Sequence, residues 1–287
     1  MQSVSIVGCG YTGLRLASRW LASGARARGF ATRADSLAQI AATGAEAVRL
    51  DLDAAFDPID AGDQLLYYMV PPAKAEGDPR LQRFLHALSG MPRRLIYIST
   101  TGVYGDQGGA TVNEDTPPQP MTERAVRRLA AETAVRRWAD AAQVSWCILR
   151  VPGIYGPGRL PLDRLRRGEP AIVASEATPG NRIHVDDLVT ACMAAGIARS
   201  ADGRIYNVTD GSEDSLTEYL QRVANVANLP PPPLISRAAA EHSVTASSWS
   251  FLAESRRVDN RRMLQDLGVA LAYHDLDAGI RASLADS

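Results

Sequence analysis

A glycine-rich segment near the amino terminus has the spacing of a phosphate-binding loop. Residues 8–13 read Gly-Cys-Gly-Tyr-Thr-Gly, between the apolar run Val4–Val7 and a helical pattern that continues to about Ala22. In such a turn the first glycine allows the sharp reversal, the second lets the backbone approach a pyrophosphate, and the third lets the helix pack on the strand. The amino terminus of the helix also attracts the anion. The pattern predicts a dinucleotide site with contacts from Gly8, Gly10, Tyr11, Thr12 and Gly13.

The end of the second predicted strand, Ala27–Thr32, indicates which dinucleotide would bind. An acidic residue about 20 residues past the glycine loop holds a ribose 2′-hydroxyl, whereas an arginine there accommodates a 2′-phosphate. Arg33 occupies that point. The competing Asp35 precedes Ser36 at a predicted helix start, where a carboxylate has a structural use. The sequence therefore favours NADP(H) over NAD(H) as the cofactor.

The pattern around this loop predicts the elements that must position it. Over the first 150 residues short β-rich runs alternate with helical patterns, which indicates a parallel sheet with crossover helices. The fold class we predict is α/β, a Rossmann-type doubly wound parallel sheet with a smaller carboxy-terminal substrate lobe. Residues 1–155 are expected to form the NAD(P)-binding Rossmann domain, completed by about residues 181–208. Most of residues 156–287 are expected to form the smaller substrate-binding lobe.

The individual elements follow from the same patterns. Strands are predicted at Val4–Val7, Ala27–Thr32, Ala47–Leu50, Gln64–Val70, Arg94–Ser99, Val144–Leu149 and Arg204–Val208. Besides the helix after the glycine loop, helices are predicted at about Leu81–Leu88, Thr122–Ala142, Asp186–Ala198, Leu216–Ala227 and Asn260–Leu267. One more helix is predicted to start at a capping box formed by Ser36 and Gln39, and to end at Gly44.

The overall composition is that of an ordinary globular chain, with 46% hydrophobic and 22% charged residues among 287. Lys+Arg number 31 and Asp+Glu 32, which gives a net charge of −1, so no nucleic-acid partner is expected. The longest apolar run, Leu65–Pro72, is far shorter than a membrane span. The amino terminus lacks the pattern of a signal peptide. We therefore expect a cytoplasmic protein with no membrane partner.

Cysteine and histidine usage argues against two kinds of site. Cys9, Cys147 and Cys192 are too few and too scattered for a disulfide framework, and they fit a reducing compartment. Together with the four histidines they show no metal-ligand spacing, so no metal is expected. The chain also has no Gly-x-Ser-x-Gly elbow, so it carries no hydrolase signal.

Further motifs occur in a fixed order along the chain. Asp51-Leu52 follows the third predicted strand, residues 98–105 read Ile-Ser-Thr-Thr-Gly-Val-Tyr-Gly, and residues 149–158 read Leu-Arg-Val-Pro-Gly-Ile-Tyr-Gly-Pro-Gly. The later motifs are Arg182–Asp187, Tyr206–Val208 and Arg257–Asn260. With the glycine loop, these motifs make the chain resemble an extended short-chain dehydrogenase/reductase of the nucleoside-diphosphate-sugar epimerase/dehydratase-like kind. The resemblance covers nearly the whole chain.

This resemblance implies roles for individual residues. Asp51 and Leu52 would border the adenine, and Thr100 would be the catalytic hydroxyl that hydrogen-bonds the reacting oxygen. The residues after the sixth strand would line the nicotinamide. Beyond the glycine loop, the cofactor contacts we expect are Arg33, Asp51, Leu52, Val70, Pro71, Val151, Pro152, Gly153 and Ile154.

The chain departs from the family pattern at the proton donor. In the family a tyrosine donates the proton, and a lysine four residues later lowers the pKa of its phenol. Here the helix predicted from Thr122 contains no tyrosine, and Lys74 is the only lysine in the sequence. Aligned on Glu132, the two positions hold Arg124 and Arg128, and arginine keeps its proton at any ordinary pH. The chain therefore resembles the atypical members that retain the cofactor site and lose the tyrosine.

Other residues are candidates for the reaction or for binding. Glu123 is the best candidate for a replacement acid, and the alternative is a carboxylate at an exposed helix start. Tyr104, Arg124, Arg128 and His184 are candidates for a substrate cleft, where the two arginines would favour an anionic small molecule. The structural alternatives stay open: packing for the tyrosine, a solvated helix face for the arginines, and a structural hydrogen bond for the histidine.

These observations favour an NAD(P)-dependent, epimerase/dehydratase-like oxidoreductase that acts on an unidentified small molecule without the usual tyrosine and lysine. Gly153 stands where sugar epimerases usually carry an asparagine, which argues against a nucleotide-sugar substrate. The alternative function is a non-catalytic NADP(H)-binding sensor or regulatory protein. A homodimer is compatible with either function.

Overall fold

A computed structural model describes residues 1–75, 77–243, 245, 249–250 and 252–285 of the chain. In these residues a central sheet contains seven parallel strands: β1 (Ser3–Val7), β2 (Arg26–Ala31), β3 (Glu46–Arg49), β4 (Leu65–Tyr68), β5 (Arg94–Thr100), β6 (Ser145–Val151) and β7 (Arg204–Asn207). The same residues form the helices α1 (Tyr11–Ala22), α2 (Ala34–Ala42), α3 (Pro79–His86), α4 (Glu123–Ala142), α5 (Leu162–Arg166), α6 (Val185–Ile197), α7 (Leu216–Val226), α8 (Arg237–Ser243), α9 (Arg261–Asp266) and α10 (Leu276–Ala285). None of the helices in the described ranges is long and apolar enough to cross a membrane.

Short elements complete the described structure. Two-stranded parallel pairs join Gly153–Tyr155 to Arg182–His184, Ala171–Ile172 to Leu234–Ile235, Thr111–Val112 to Arg257–Val258, and Ile59–Asp60 to Leu88–Ser89. Single 3₁₀ turns lie at Thr101–Tyr104, Ala174–Glu176 and Arg199–Ala201.

The order of the strands creates a crevice at one edge of the sheet. The sheet runs β7-β6-β5-β4-β1-β2-β3, so β2 and β3 lie on one side of β1 and β4 to β7 lie on the other. The strand order therefore reverses between β1 and β4. Val7 at the end of β1 lies in register with Phe30 of β2 and Tyr68 of β4. In open α/β sheets, ligands bind outside the carboxyl ends of the strands, at the point where the strand order reverses. The structure confirms the predicted fold class and places the glycine loop at the crevice.

Apolar side chains cover both faces of the sheet. Successive residues of a strand point to opposite faces, so Ile6 and Val7 enter different clusters. Ile6 packs with Leu16 of α1 on the face that α6 also covers. Val7 belongs to the cluster that contains Phe84 of α3 and Val135 of α4. Burial on both faces explains why a central strand such as β4 is a continuous apolar run in the sequence.

A separate hydrophobic core lies in the carboxy-terminal half of the chain, and it includes a helix that the sequence analysis missed. Leu220 of α7 and Ile280 of α10 are fully buried together with Tyr155. Gly279 lowers the intrinsic helix propensity of α10, which hides the helix in the sequence. In the structure, a Cβ at Gly279 would lie 2.4 Å from the Tyr155 hydroxyl, so only glycine lets α10 approach this closely.

The start of α2 also differs from the prediction. The helix begins at Ala34, with Arg33 as its N-cap and without a side-chain cap hydrogen bond. The Leu37 amide donates to the Arg33 carbonyl at 3.0 Å, so the first turn forms ahead of Ser36. The predicted capping box of Ser36 and Gln39 is therefore wrong. Gly44, with a φ of +88°, does follow the end of the helix.

A buried ion pair fastens α4 to the central sheet. Arg150 of β6 donates through Nε to Glu132 Oε1 at 3.1 Å and through Nη2 to Oε2 at 2.8 Å. Ser99 of β5 donates its hydroxyl to the same carboxylate. Both charged side chains are only 3% exposed. A buried pair of this kind is costly to break because the remaining charge has no partner.

We therefore expect Glu132→Ala to lower the free energy of unfolding by about 3–5 kcal/mol, because the variant leaves the Arg150 charge buried without its partner. Urea denaturation followed by circular dichroism measures this loss. The control is Glu123→Ala on the same helix, since the exposed pair of Glu123 with Arg127 should contribute only about 0–1 kcal/mol. Equal effects of the two variants would contradict the assigned role of the pair.

Candidate functional site

The glycine loop adopts a geometry that other residues would disturb. Gly8 has a φ of +84°, and a Cβ there would lie 3.0 Å from the Val70 backbone nitrogen. A Cβ at Gly13 would meet Ile6 at 3.1 Å and the Cys9 sulfur at 3.3 Å, which shows how tightly α1 packs on β1. A Cβ at Gly10 would meet nothing within 4 Å, so the backbone there faces open space. The loop can therefore receive a ligand against its main chain.

Two neighbouring cavities meet at this loop. The larger, of about 390 Å³, lies over the glycine loop and extends to the ends of β5 and β6. The smaller, of about 150 Å³, lies between the ends of β1, β2 and β3. Gly8 lines both of them. We name them the main cavity and the side cavity.

Most of the predicted cofactor contacts lie on these two cavities. The main cavity is lined by Gly8, Gly10, Tyr11, Thr12, Gly13, Pro71, Val151, Pro152 and Ile154 from the predicted set. The side cavity is lined by Gly8, Asp51, Leu52 and Val70 from the same set. Widely separated segments of the chain thus converge at the carboxyl edge of the sheet.

Two predicted cofactor contacts lie outside the lining of both cavities. Gly153 is exposed, and it begins a short strand that pairs with Arg182–His184. Arg33 is exposed and follows Thr32, which does line the side cavity. The expectation that Gly153 lines the nicotinamide end is corrected accordingly. Arg33 remains beside the side cavity rather than in its wall.

Thr100 lies at the end of β5 in the wall of the main cavity. Its side-chain oxygen accepts a hydrogen bond of 3.2 Å from the Gly102 amide and so caps the 3₁₀ turn that follows. A hydroxyl that accepts from the backbone keeps its own proton for another acceptor. Thr100 can therefore donate a hydrogen bond to an oxygen atom bound in the main cavity.

Arg128 occupies the wall near Thr100 and is held firmly. Its Nη1 donates to the carbonyl of Ile98 at 3.0 Å, to the hydroxyl of Tyr97 at 3.1 Å and to the carbonyl of Val70 at 3.4 Å. These three acceptors fix the guanidinium at the edge of the main cavity. The fixed positive charge favours an anion in the cavity.

Arg124 and Glu123 do not line the cavity. Arg124 precedes Arg128 by one helical turn, or about 6 Å along the axis, and it is exposed. The Glu123 side chain is 92% exposed and pairs with Arg127 at 3.2 Å. The expectation that both arginines line the cleft is therefore corrected, because only Arg128 does. Glu123 lies too far from the main cavity to serve as the replacement acid.

Tyr104 and His184 are both buried away from the cavity. The Tyr104 hydroxyl donates to Asn207 Oδ1 at 2.8 Å, and its ring lies under the Arg150 guanidinium, with 4.8 Å from Cζ to the ring centroid. Burial raises the pKa of Tyr104. His184 caps α6, because its Nδ1 accepts from the Asp186 amide at 3.2 Å. The observed contacts match the structural alternatives, which are packing for Tyr104 and a structural hydrogen bond for His184. The expectation that these two residues line a substrate cleft is therefore corrected.

The chemistry of the main cavity is defined by what lines it. Among the described residues of its wall there is no carboxylate, histidine or lysine; the polar side chains are Tyr11, Thr12, Ser99, Thr100, Arg128 and Arg159. Lys74 is exposed on the loop after β4. Within the described part of the chain, no cluster of histidine, cysteine or acidic side chains is suited to hold a metal ion. The wall offers positive charge and hydroxyl groups.

Sequence reasoning missed two features of this wall. Arg159 was not considered, although it directly follows the Gly156-Pro157-Gly158 part of a quoted motif. Tyr11 was expected to contact the cofactor, and its ring also contacts Arg15 and Arg159, with 4.2 and 4.0 Å from Cζ to the ring centroid. Burial raises the pKa of Tyr11.

The fold and the glycine loop at its crevice define a Rossmann-type α/β class of protein. The chain belongs to the NAD dependent epimerase/dehydratase family, whose family model matches residues 4–209. A conserved protein of unknown function from Silicibacter pomeroyi is 30% identical, with a TM-score of 0.83, and the match covers 100% of this chain and 99% of that one. Protein YeeZ of Escherichia coli K12 is 27% identical, over 96% of this chain and 97% of the relative.

A structure of UDP-glucuronic acid 4-epimerase from Bacillus cereus in complex with NAD shares the fold. The two chains are 17% identical, with a TM-score of 0.75, over 99% of this chain and 98% of the epimerase. At this identity the similarity supports the fold and carries no statement about the substrate.

A buried carboxyl group after β7 makes stability depend on pH. Asp210 follows β7 and is 7% exposed; its Oδ1 accepts from the Ser212 amide at 2.8 Å. Burial raises the pKa of Asp210 to about 6, although the Arg182 charge opposes the shift. A raised pKa means that the folded state holds a proton that the unfolded state has released. The contribution of this group to stability is therefore greatest at low pH and is lost as pH rises through 6.

We expect Asp210→Asn to remove this dependence. Between pH 4 and pH 7 the wild-type protein should lose about 2–3 kcal/mol of unfolding free energy relative to the variant, since each pKa unit corresponds to about 1.36 kcal/mol. The asparagine amide oxygen can still accept the Ser212 hydrogen bond, so the variant isolates the charge. Urea titrations at several pH values measure the difference. Parallel stability curves for the two proteins would contradict the prediction.

Proposed function

We propose that this protein is a nicotinamide dinucleotide-dependent oxidoreductase that acts on a small carbonyl or hydroxyl compound without a tyrosine–lysine pair. The observation that carries the proposal is the main cavity, which joins an open glycine loop to the hydroxyl of Thr100. When bound, the dinucleotide would supply or accept a hydride. The protein would be cytoplasmic, as its composition and cysteine usage favour.

The residues on the two cavities fit a dinucleotide. The unobstructed backbone at Gly10 and the first amides of α1 would receive the pyrophosphate. The side cavity, with Asp51 and Leu52 in its wall, would receive the adenine. Val151 and Ile154 would border the nicotinamide end of the main cavity. Residues 1–155, completed by 181–208, would then form the binding domain and 156–287 most of the substrate lobe.

Thr100 would hydrogen-bond the reacting oxygen and polarise it. An alcohol hydroxyl transfers protons poorly near neutrality, so the proton would come from water. Loss of a positioned general acid or base typically costs about 10²–10⁴-fold in rate. We therefore expect slow turnover compared with enzymes that keep the tyrosine.

Arg128 would select an anionic substrate. Its charge lies on the cavity wall beside Thr100, and none of the described residues of that wall is acidic. A carboxylate or phosphate near the reacting carbon would pair with it. The compound would be small, because the main cavity of about 390 Å³ must also hold part of the dinucleotide.

The second candidate function is an NADP(H)-binding sensor without turnover. The lack of a carboxylate, histidine or lysine among the described residues of the cavity wall favours it. The two functions differ in one measurable property, because only an enzyme transfers hydride.

Hydride transfer from deuterium-labelled NADPH to a panel of small carbonyl compounds, with and without a carboxylate, tests the proposal. We expect transfer to at least one anionic member, detected as deuterium in the alcohol product by mass spectrometry. Thr100→Val should lower the rate by about 10²–10³-fold, because it removes the hydrogen bond to the developing oxyanion. Thr100→Ser keeps the hydroxyl and is the matched control. A protein that binds the cofactor and labels no member of the panel would support the sensor instead.

The preference for NADP(H) is the second testable part of the proposal. Arg33 lies beside the side cavity with an exposed side chain, where a 2′-phosphate would meet it. A charge-assisted contact of this kind gives roughly a 10- to 100-fold preference. Fluorescence titration should therefore show tighter binding of NADP(H) than of NAD(H), and Arg33→Ala should remove the difference.

Arg26→Ala is the control for this titration. Arg26 is the first residue of β2, so it lies at the opposite end of that strand from Arg33. It should leave both affinities unchanged. Equal affinities in the wild-type protein would reject the preference for NADP(H) while leaving dinucleotide binding intact.

A further inference from the structure

Arg159 is a cation at the main cavity whose charge is not neutralised by the protein. It lines the cavity, its side chain is exposed, and its Cζ lies 4.0 Å from the centroid of the Tyr11 ring. Among the described residues, no carboxylate and no hydrogen-bond acceptor pairs with its guanidinium. The ring contact holds the side chain in place without consuming its hydrogen-bond donors.

The position of Arg159 is tied to the start of α1 through Tyr11. Tyr11 is the first residue of this helix, and its amide is one of the free donors there. Its hydroxyl packs against Gly156, where a Cβ would lie only 2.6 Å away. Gly158, with a φ of +72°, then turns the chain into Arg159. The segment that carries Arg159 is thus built around the helix start.

A cation at this place is unfavourable unless an anion joins it. The amino terminus of a helix already carries partial positive charge, so a second positive charge is repelled. The other arginine at the Tyr11 ring, Arg15, does have partners in the protein: it donates to the Tyr11 carbonyl at 3.2 Å and lies 4.0 Å from the Asp186 carboxylate. Arg128 is held by its three acceptors. The guanidinium of Arg159 therefore keeps its hydrogen-bond donors available for an anionic ligand.

We infer that Arg159 binds the pyrophosphate of the dinucleotide, a role that rests on the proposed cofactor. The backbone amides of the glycine loop supply only partial charges, and a pyrophosphate carries full negative charges. A guanidinium within reach of the same helix start supplies the missing counter-charge and can donate two parallel hydrogen bonds to phosphate oxygens. Arg159 thereby links cofactor binding to the segment that enters the substrate lobe.

Calorimetric titration with NADP⁺, ADP-ribose and adenosine tests this role. ADP-ribose keeps the pyrophosphate and lacks the nicotinamide, whereas adenosine lacks both. Arg159→Ala should weaken NADP⁺ and ADP-ribose by the same factor, about 10- to 100-fold, because both lose a charge-assisted contact. Adenosine binding should stay unchanged. Arg159→Lys keeps the charge and should recover part of the loss.

The matched control is Arg15→Ala, which removes the other arginine from the same ring and should leave the affinity for ADP-ribose unchanged. Thermal melts of the variants check the fold, and because Arg159 is exposed, its replacement should not lower the melting temperature. Wild-type binding of ADP-ribose together with equal binding by Arg159→Ala would overturn this inference alone. Failure of the wild-type protein to bind NADP⁺ or ADP-ribose would overturn the proposed cofactor as well.

Discussion

The buried pair of Glu132 and Arg150 is the constraint on which the cleft depends. It joins α4 to β6, and the Ser99 hydroxyl adds β5 to the same carboxylate. Thr100 is the next residue of β5, and Arg128 lies one turn before Glu132 on α4. One desolvated charge pair therefore fixes the distance between the hydroxyl and the guanidinium on the cavity wall. Both charges are nearly inaccessible to solvent, so a movement of α4 that separated them would be costly.

Arginine on α4 changes what the cleft can do. Arg128 donates back to backbone carbonyls at the ends of β4 and β5, so it acts as a rigid part of the wall. An arginine guanidinium does not act as an acid or base in proteins, so Arg128 cannot exchange a proton during a reaction. The main cavity consequently combines fixed positive charge with hydroxyl groups. Such a site suits the binding of anions and the polarisation of an oxygen more than the relay of protons.

Similarity to sugar-nucleotide enzymes leaves the substrate open. The solved epimerase that shares the fold is 17% identical, whereas the chain with 30% identity is a protein of unknown function. One fold supports many reactions, so function has to be argued from the residues of the site. Here those residues are Thr100, Arg128 and Arg159 around a glycine loop. The substrate class proposed above follows from their charge.

The sequence by itself determined the features that depend on neighbours in the chain. The glycine loop, the strand pattern and the short motifs that follow them are local, and they were enough for the fold class and the family. The tertiary structure decided which side chains share a cavity. It separated Arg128 from Arg124, buried Tyr104, and brought Arg159 to the start of α1, since these positions depend on how distant segments pack. The sequence patterns also failed to predict helix α10, because Gly279 is unfavourable in an isolated helix. In the folded protein the glycine is necessary, since Tyr155 packs against it.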